Sequence, residues 1–268
     1  MITKVVIITG ASSGIGKACA AVYLKNGYAV VISGRNSNKL NEVAQSLDPS
    51  NEKILAFTAD VSNEDNCSAL VQAAVKKFGR IDVLINNAGI SMRALFADLD
   101  LSVIRQLMDT NFWGTVYCTK FALPYLLEAK GSVVGVSSIA GKKGLPGRTG
   151  YSSSKFAMEG FLETLRTENL KKDLHVLVAC PGFTATDIRN TALSADGSTQ
   201  GESPRDEQKM MTADEVAHAI FSAVEKRKRD LILTTNGKLT VWLNKFFPAM
   251  MDKIVYNHMA KEPGSPFK

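Results

Sequence analysis

KVVIITGASSGIG, residues 4–16, joins a strand pattern, a glycine-rich turn and the start of a helix. Residues 4–9 are mostly β-branched and apolar, which favours a strand buried in a parallel sheet. Gly10, Gly14 and Gly16 follow at once, and glycine lets a backbone turn tightly and approach a pyrophosphate at the amino terminus of a helix. A similar turn can also do no more than connect a strand to a helix. In this setting, the stretch predicts a strand–turn–helix unit that is able to hold a dinucleotide.

Strand and helix patterns alternate along the rest of the chain. This alternation predicts an α/β fold with a doubly wound parallel sheet of about seven strands flanked by helices. At 268 residues the chain suits one domain, 1–268. The predicted strands are 4–9, 29–33, 53–59, 82–85, 132–137, 175–180 and 230–235. The predicted helices are 14–26, 37–47, 64–78, 101–128, 151–171 and 212–227.

Composition and charge narrow the class of protein. Hydrophobic residues make up 45% of the chain, as in an ordinary soluble globular protein, and the net charge is +6. The basic runs 142–143, 171–172 and 226–229 resemble solvated helix ends, and no nucleic-acid-binding motif accompanies them. Because the first predicted strand begins within four residues of Met1 and no apolar run reaches the length of a membrane span, we expect a cytoplasmic protein.

The cysteines and histidines do not form a recognisable metal site. Four cysteines lack C-x-x-C or zinc-ligand spacing, which predicts buried free thiols in a reducing compartment: Cys19, Cys67, Cys118 and Cys180. The three histidines have no partners nearby in the sequence: His175, His218 and His258. We therefore expect no protein-bound metal.

A second stretch, VSSIAGKKGLPGRTGYSSSK at 136–155, combines a strand end with a helix start. Ser138 follows the predicted strand, at the edge where open parallel sheets place their ligands. Tyr151 and Lys155 are four residues apart, so their side chains project from one helix face. A tyrosine has a pKa of about 10, a neighbouring cation favours the phenolate, and a serine hydroxyl can donate to a developing oxyanion. The trio predicts acid–base chemistry at a carbonyl or alcohol, although a Tyr–Lys pair alone also occurs on ordinary surfaces.

With both stretches taken together, the sequence resembles the short-chain dehydrogenase/reductase family over about residues 4–235. The SSIAG, Tyr-Ser-x-Ser-Lys and LRTE stretches are similar to the branch that contains hydroxysteroid dehydrogenases. The resemblance implies a Rossmann-type fold and an oxidoreductase that interconverts a ketone or aldehyde and an alcohol. The family's motifs recur in order: the TGASSGIG turn, Asp60-Val61, Asn86-Asn87-Ala88-Gly89, Asn111, Ser138, Tyr151 with Lys155, and Pro181-Gly182 followed by Thr184 and Thr186.

The end of the second predicted strand bears on which cofactor is bound. An acidic residue about twenty positions after the glycine turn would select NAD, but residues 33–36 (SGRN) carry no carboxylate. A guanidinium grips a phosphate with paired donors, whereas a surface arginine is the plainer interpretation of Arg35. We predict NADP(H), helped by Ser12 and Ser13 as small donors in the turn, with NAD(H) as the alternative.

The resemblance also implies roles for the remaining motifs. Asp60 and Val61 resemble the pair that contacts the adenine ring, although Asp after a strand is also a routine helix-start residue. Residues 87–89 resemble the segment against the adenosine ribose, although a tight backbone crossing would also need small residues. Thr186 resembles the residue that bonds the nicotinamide carboxamide. The full predicted cofactor set is Gly10, Ser12, Ser13, Gly14, Ile15, Gly16, Arg35, Asp60, Val61, Asn87, Ala88, Gly89, Tyr151, Lys155, Pro181, Gly182, Thr184 and Thr186.

By the same resemblance, four residues form the catalytic set: Asn111, Ser138, Tyr151 and Lys155. Tyr151 would donate a proton to the nascent alkoxide, and Ser138 would steady that oxygen during hydride transfer. Lys155 would lower the pKa of the tyrosine and grip the nicotinamide ribose, while Asn111 would hold a water in the proton relay. An NAD-dependent alcohol dehydrogenase is the alternative within the family. A cofactor-binding scaffold or sensor without turnover is the alternative from another class.

Two regions beyond these motifs are expected to face the substrate. Residues 187–211 form a long polar stretch and resemble the family's substrate-covering segment. The extension 236–268 is apolar and aromatic, and Pro248 divides it into two predicted short helices. The extension is interpreted as a lid over the pocket, a subunit contact or a helix on a membrane surface, and core packing is the plain default. We favour lid plus contact, a lipophilic substrate, and a homodimer or homotetramer through the helices 101–128 and 151–171.

Overall fold

The computed structural model describes residues 3–201 and 210–267, and within them seven strands form one parallel sheet. The strands are β1 Val5–Thr9, β2 Ala29–Gly34, β3 Ile54–Thr58, β4 Val83–Asn86, β5 Ser132–Val136, β6 His175–Cys180 and β7 Asp230–Ile232. Their order across the sheet is β3-β2-β1-β4-β5-β6-β7, and every pair is parallel. The order reverses between β1 and β4, so the predicted doubly wound, Rossmann-type sheet is confirmed.

The described ranges contain nine α-helices, most of which flank the sheet. They are α1 Gly14–Lys25, α2 Ser37–Leu47, α3 Glu64–Phe78, α4 Leu101–Leu107, α5 Gly114–Glu128, α6 Thr149–Glu168, α7 Ala213–Glu225, α8 Thr235–Phe246 and α9 Pro248–Ala260. Polar side chains fix several starts: Asn36 caps α2, Asn63 caps α3, and Thr212 forms a capping box with Glu215 at α7. Pro248 is the first residue of α9, so the predicted division of the extension into two helices is confirmed.

The predicted helix 101–128 is continuous but changes its winding near the centre. α4 and α5 are joined by the π-helical segment Met108–Trp113. Such wide turns are rare and occur frequently at functional sites. Asn111 lies in this segment, is fully buried, and reaches the backbone of Ile90 just beyond β4.

Apolar clusters on both faces of the sheet hold the layers together. One cluster packs the sheet against α1 and α7, and the other packs the opposite face against α3, α5 and α6. Every residue of β1 is buried, which fits the place of this strand in the middle of the sheet. The core therefore fixes the positions of the strand ends, from which the predicted motifs extend.

The last strand is shorter than predicted. β7 ends at Ile232 rather than at residue 235. Thr234 adopts a φ of +65° and caps α8, and its hydroxyl accepts the amide N–H of Gly237 at 3.0 Å. The chain consequently leaves the sheet early, and α8 begins beside the carboxyl end of β6.

Two smaller apolar clusters lie beyond the carboxyl ends of the strands. The first packs Leu193, from the predicted substrate segment 187–211, against the partly buried Tyr151. The second packs α9 against α8 and against the loop that precedes α6. Both predicted substrate regions therefore contribute to this end of the sheet; residues 202–209 of the segment lie outside the described residues.

The four cysteines are buried free thiols, as predicted. Among the described residues, no cluster of three potential metal-ligating side chains has a geometry that could hold an ion. No helix within the same ranges is both long and apolar enough to cross a membrane.

Candidate active site

Several predicted motifs follow directly on the carboxyl ends of neighbouring strands. β1 ends at Thr9 before the glycine turn, β4 at Asn86, β5 at Val136 and β6 at Cys180. Because parallel strands end at the same edge of a sheet, motifs that are far apart in the sequence meet in one crevice. The crevice lies where the strand order reverses, between β1 and β4.

The glycine turn is closed by contacts that leave no room for side chains. Gly10 has a φ of +63°, and a Cβ at this residue would lie 2.7 Å from the Cα of Ala88. A Cβ at Gly16 would overlap the carbonyl oxygen of Gly10. Gly14 has a φ of +51°, and a Cβ there would lie 3.1 Å from the methyl group of Thr186. The structure thus brings the predicted turn, Ala88 and Thr186 into one cradle.

The amino terminus of α1 suits an anion. Ser13 precedes the helix, and no side chain within the described residues caps it. The first turn also contains no acidic residue. The first N–H groups of a helix lack partners inside it and attract negative charge. Ile15 packs partly buried against the core, so its side chain anchors the turn while the backbone remains available.

Thr9 is a functional residue that the sequence analysis missed. Its buried hydroxyl accepts the backbone N–H groups of Asn87 and Ala88, each at 3.0 Å. The side-chain amide of Asn87 in turn donates to the carbonyl oxygens of Thr9, at 2.9 Å, and Gly10, at 3.0 Å. These four bonds fasten the end of β1 to the end of β4. The signal in the sequence is slight: a threonine at the last strand position before the turn.

Arg35 follows β2 and is exposed at the corner where the glycine turn passes. A Cβ at Gly34 would lie 3.6 Å from the hydroxyl oxygen of Ser12, and the amide N–H of Ala11 donates to Ser33 at 2.9 Å. The turn and the end of β2 are therefore in contact. Ser12 and Arg35, which were predicted together as phosphate donors, border the same corner.

Asp60 and Val61 follow β3 and have local structural roles. One carboxylate oxygen of Asp60 accepts the backbone N–H of Ser62 at 3.0 Å and its hydroxyl at 2.8 Å. Val61 is buried, and a Cβ at Gly114 would lie 2.7 Å from its methyl group. The position at a strand end agrees with the predicted adenine contact, which remains a prediction.

The Ser138 hydroxyl lies close enough to the Tyr151 phenol to influence its pKa across the crevice. Ser138 follows β5, and its hydroxyl accepts the amide N–H of Ala140 at 3.2 Å, which caps a short 3-10 turn. Tyr151 lies in the first turn of α6. Gly150 lets this helix approach α4 closely, because a Cβ at Gly150 would lie 2.9 Å from the Leu107 side chain.

The pKa of Tyr151 differs in direction from the sequence-based expectation. Burial raises the pKa of Tyr151 above its ordinary value of 10.0, while the nearby Ser138 hydroxyl and the charge of Arg148 lower it by less. The expectation of a lowered pKa is therefore wrong for this structure, because the cost of burying a phenolate exceeds the attraction of the nearby groups. Tyr151 carries its proton at neutral pH.

Lys155 lies one turn after Tyr151 on α6 and is buried. Its ammonium group donates to the carbonyl oxygen of Val136 at 2.8 Å and lies 5.9 Å from the centre of the Tyr151 ring. Burial lowers the pKa of Lys155 from 10.5 to about 8, although Cys180 and Glu159 oppose this shift. Lys155 is therefore a cation at neutral pH that loses its charge in mildly alkaline solution.

Asn111 reaches the same volume from the π-helical segment. Its side-chain oxygen accepts the Ile90 N–H at 2.8 Å, and its amide nitrogen donates to the Ile90 carbonyl at 3.0 Å and to the Ser154 hydroxyl at 2.9 Å. A Cβ at Gly89 would lie 3.1 Å from the Asn111 oxygen and 3.4 Å from the Lys155 nitrogen. Asn111 and Lys155 therefore border one space. Ser154, which the sequence analysis did not single out, ties Asn111 to α6.

The segment after β6 closes the crevice on its remaining side. Pro181 is buried, and a Cβ at Gly182 would lie 2.7 Å from the Thr234 methyl group. The hydroxyl of Thr184 donates to the Gly182 carbonyl at 3.2 Å. Since Thr186 faces the glycine turn, the segment spans from β6 to the cradle, and the predicted residues of this motif lie along the crevice.

Comparisons with known proteins agree with this geometry. A sequence model described as short chain dehydrogenase matches residues 4–197. The chain is 36% identical over 264 residues to mouse Dehydrogenase/reductase SDR family member 7B, which covers 96% of this chain and 82% of that protein. It is 34% identical over 272 residues to 11-beta-hydroxysteroid dehydrogenase A of Sesamum indicum, which covers 99% of this chain and 78% of that protein. The predicted likeness to hydroxysteroid dehydrogenases is thereby confirmed.

Solved structures share the fold. A short chain dehydrogenase/reductase from Burkholderia phymatum in complex with NAD superposes with a TM-score of 0.82 at 24% identity, over 92% of this chain and 95% of that chain. An alcohol dehydrogenase from the archaeon Thermococcus sibiricus complexed with 5-hydroxy-NADP gives a TM-score of 0.75 at 24% identity, over 86% of this chain and 96% of that chain.

Proposed function

The chain belongs to the short-chain dehydrogenase family, and we propose that it uses NADP(H) to interconvert lipophilic ketones or aldehydes and alcohols, with Tyr151 as the acid and base. Membership of this family makes the protein an oxidoreductase with a nicotinamide cofactor. One observation carries the finer proposal. Ser138, Tyr151 and Lys155 converge beside the segment that closes the glycine turn.

The residues of the crevice fit a nicotinamide dinucleotide. The cradle of Gly10, Gly14 and Gly16 would be filled by any side chain, and the uncapped start of α1 offers N–H groups to a pyrophosphate. Lys155 is a buried cation that is able to donate to ribose hydroxyls, since an ammonium group has donors beyond its bond to Val136. When bound, such a cofactor supplies or accepts a hydride.

The proton is handled by Tyr151 and Ser138. Because burial raises the pKa of Tyr151, the phenol is protonated at neutral pH and acts as a donor. Its proton goes to the oxygen of a carbonyl that is becoming an alcohol. The Ser138 hydroxyl, which lies beside Tyr151, donates to the same oxygen and stabilises its developing charge. This distribution of protons favours the reducing direction.

Lys155 and Asn111 support the tyrosine after it has given up its proton. The positive charge of Lys155, 5.9 Å from the ring, favours the phenolate that remains. Asn111 borders the space beside Lys155 and is held there by Ile90 and Ser154. In this proposal, a water in that space returns a proton through Lys155.

Arg35 carries the choice of NADP(H). It is exposed directly after Gly34, which faces Ser12, and no carboxylate replaces it at the end of β2. A guanidinium binds a phosphate more strongly than it binds hydroxyls. We expect Arg35→Asp to change the ratio of NADPH to NADH affinity by about tenfold or more, since bonds to charged groups contribute about 1.5–3 kcal/mol. Fluorescence titrations with both cofactors measure this ratio, and exposed Arg105→Asp is the matched control. An unchanged ratio in Arg35→Asp would contradict the proposed phosphate site.

An apolar wall beside Tyr151 supports a lipophilic substrate. Leu193 and Met92 are buried in the cluster against which Tyr151 packs, and Ile104 and Ala195 border it. Apolar side chains next to a reacting carbonyl favour hydrocarbon rather than charged substituents. The sesame relative is named as a hydroxysteroid dehydrogenase, which agrees with a bulky apolar substrate class.

Tyr151→Phe tests the proposed chemistry. The variant keeps the ring and removes the transferable proton, so the NADPH-dependent turnover of an apolar ketone should fall by about a thousandfold, within the usual range for a general acid. NADPH affinity should change little. Tyr117→Phe, a partly buried tyrosine stacked on Trp113, is the control and should retain turnover. Normal turnover by Tyr151→Phe would contradict the assignment of Tyr151 as the acid and base. If the unmodified protein bound the cofactor but turned over no carbonyl compound, the scaffold alternative would be favoured.

A further inference from the structure

The two helices of the extension expose an apolar face. We define the C-terminal face as Leu239, Trp242 and Phe246 on α8, and Phe247, Met250 and Ile254 at the junction and on α9. Between 43% and 56% of the surface of each of these residues is exposed. Single exposed apolar residues are ordinary, but six within two consecutive helices form a patch of the kind that marks an interaction site.

The spacing of the exposed residues along α8 and α9 shows that the C-terminal face is separate from the surface that these helices bury. Leu239, Trp242 and Phe246 recur at one helical face of α8, and the rings of Trp242 and Phe246 lie 5.3 Å apart. An adjacent side of α9 is already buried, because Met251 and Val255 belong to the apolar cluster that packs α9 against α8. The C-terminal face is therefore a second apolar surface, in addition to the one that is already buried.

Charge indicates what covers this face. Residues 235–261 contain four lysines, all exposed, and one acidic residue. That acidic residue, Asp252, is paired with Lys143 of the neighbouring loop. Three of the lysines lie on the two helices and the fourth follows directly after α9: Lys238, Lys245, Lys253 and Lys261. A twofold contact between two copies would bring these lysines toward one another, whereas anionic groups would neutralise them.

We propose that the C-terminal face docks on the surface of a lipid bilayer that carries anionic headgroups. Tryptophan, phenylalanine and aliphatic side chains enter the boundary between headgroups and acyl chains, and flanking lysines meet the phosphates. Because lysines near an anionic surface attract it electrostatically, the binding weakens as salt is added. The two helices lie on the bilayer and do not span it.

The docking face adjoins the crevice. A Cβ at Gly237, in the first turn of α8, would lie 2.9 Å from the side chain of Ile139, the residue after Ser138. Thr234, just before α8, touches Gly182 on the other side. The active-site edge would therefore lie close to the membrane surface, where apolar carbonyl compounds dissolve. This use of the surface rests on the proposed function, while the docking itself does not.

Trp242 offers a direct probe of docking. The chain has two tryptophans, so Trp113→Phe leaves Trp242 as the single reporter. We expect its emission to shift to the blue on addition of vesicles made of phosphatidylcholine and phosphatidylglycerol in equal amounts, with co-sedimentation of the protein. Vesicles of phosphatidylcholine alone, or high salt, should reduce binding by about tenfold or more, as expected for several lysines near an anionic surface. None of these measurements requires turnover, so a negative result for membrane docking can be told apart from a failure of the proposed function.

Paired variants separate docking from other uses of the face. Trp242→Ala with Phe246→Ala should lower vesicle affinity by about tenfold or more at an unchanged melting temperature, because both side chains are exposed. Leu170→Ala, at a site 69% exposed after α6, is the control and should bind like the parent. Equal binding of the double variant, or no binding of the parent chain, overturns the proposal. The proposal is also overturned if the parent chain self-associates and the double variant is a monomer, because the C-terminal face would then be a contact between copies of the chain.

A different observation carries a second inference, on Glu159. This residue lies one turn after Lys155 on α6 and is buried. One carboxylate oxygen accepts the Ser137 hydroxyl at 2.6 Å and the Cys180 thiol at 3.5 Å, and the other lies 2.7 Å from the Lys142 ammonium nitrogen. A Cβ at Gly141 would overlap this carboxylate, so the turn after Ser138 folds directly over it.

We propose that Glu159 is a positioning residue that holds Ser138 in place through Ser137 and keeps Lys155 charged. It links the ends of β5 and β6, from which the catalytic serine and the Pro181 segment extend. The charged and titratable groups that face it are Lys142 from the turn, Cys180 from β6, Lys155 on its own helix and, through Lys142, Asp230. Its negative charge opposes the lowering of the Lys155 pKa by burial.

The pH profile distinguishes this role from a purely structural one. This test rests on the proposed function, in which loss of charge on Lys155 lowers turnover. Glu159→Gln keeps an acceptor for Ser137 but removes the charge, so the alkaline limb of kcat should move to lower pH and kcat at neutral pH should fall several-fold. Glu159→Asp retains the charge and should keep the limb near its original pH. NADPH binding checks that Glu159→Gln is folded. If the alkaline limb of its kcat profile does not move, the inference is overturned. Loss of turnover in Tyr151→Phe tests the proposed function separately.

Discussion

The cofactor side and the substrate side of the crevice are built by different means. On the cofactor side, backbone meets backbone: Gly10 lies against Ala88, and Thr9 is bonded to two consecutive amides. On the substrate side, the backbone of an irregular segment is bonded to residues 91 and 93, but the wall it presents consists of side chains such as Leu193, packed on small apolar clusters. Backbone contacts tolerate almost no change, whereas packed side chains can be exchanged. The side that must hold one constant ligand is thus fixed, and the side that meets the substrate can vary.

Gly10→Ala should give the largest effect, because it acts where two backbones touch. A non-glycine residue at a φ of +63° costs about 1–2 kcal/mol, and the added Cβ would lie 2.7 Å from Ala88 and force the strands apart. We expect a loss of about 4 kcal/mol in the free energy of unfolding and of nearly all NADPH binding. Urea unfolding and cofactor titration measure the two effects.

Gly27→Ala is the matched control for this substitution. Gly27 also has a positive φ, +85°, but nothing lies within 4 Å of the position of its Cβ. It should lose only the about 1–2 kcal/mol of the backbone conformation and should bind NADPH normally. Equal effects at both glycines would show that backbone strain, and not the contact with Ala88, explains the loss. The distinction between a cofactor side fixed by backbone contacts and a substrate side built from side chains would then lose its support.

Thr9→Val should have the next largest effect. Valine has the shape of threonine but cannot accept the N–H groups of Asn87 and Ala88, which then remain unpaired and partly buried. Each such group costs about 1–3 kcal/mol, so we expect a loss of about 3 kcal/mol in stability together with weaker NADPH binding. Thr58→Val, at the exposed end of β3, is the control. If Thr9→Val were as stable as Thr58→Val, the bond between the strand ends would not hold the cradle together.

Much of this architecture was predictable because its signals are local. The strand pattern before Gly10, the spacing of the glycines, and the four-residue interval from Tyr151 to Lys155 each lie within a short stretch. A strand period and a helix period place such residues on known faces without knowledge of the rest of the chain. The sheet, the glycine turn and the convergence of Ser138 with Tyr151 therefore followed from the sequence.

The remaining features depend on contacts between distant parts of the chain. Thr9 bonds to residues 78 and 79 positions away, and Ser154 meets Asn111 across 43 positions, so no local pattern marks either residue. The pKa of Tyr151 was predicted in the wrong direction because burial is a property of the folded chain, and the nearby Ser138 hydroxyl and Arg148 charge do not offset it. Similarly, β7 is short because Thr234 takes a backbone conformation with a positive φ, which threonine rarely adopts.

Leu193→Ala should have the smallest effect on stability and tests the other side of the comparison. The Leu193 backbone is bonded to Ser91 at 2.9 Å and Arg93 at 2.8 Å, and these bonds survive the substitution. Loss of the side chain should cost about 2 kcal/mol, the low end for a buried leucine, because the cluster it leaves is small and lies near the surface.

The kinetic signature of Leu193→Ala follows from its place beside Tyr151. We expect KM for an apolar ketone to rise several-fold while kcat and NADPH affinity stay near their original values, because the wall of the pocket changes and the reacting groups do not. Steady-state kinetics over a series of ketones of increasing size measure this, and exposed Leu170→Ala should leave KM unchanged. A fall in NADPH affinity as large as that in Thr9→Val would contradict the division, since the substrate segment would then belong to the same rigid unit as the cradle. A change confined to KM means that substrate preference can be altered by single side chains on the substrate side without loosening the contact between Gly10 and Ala88.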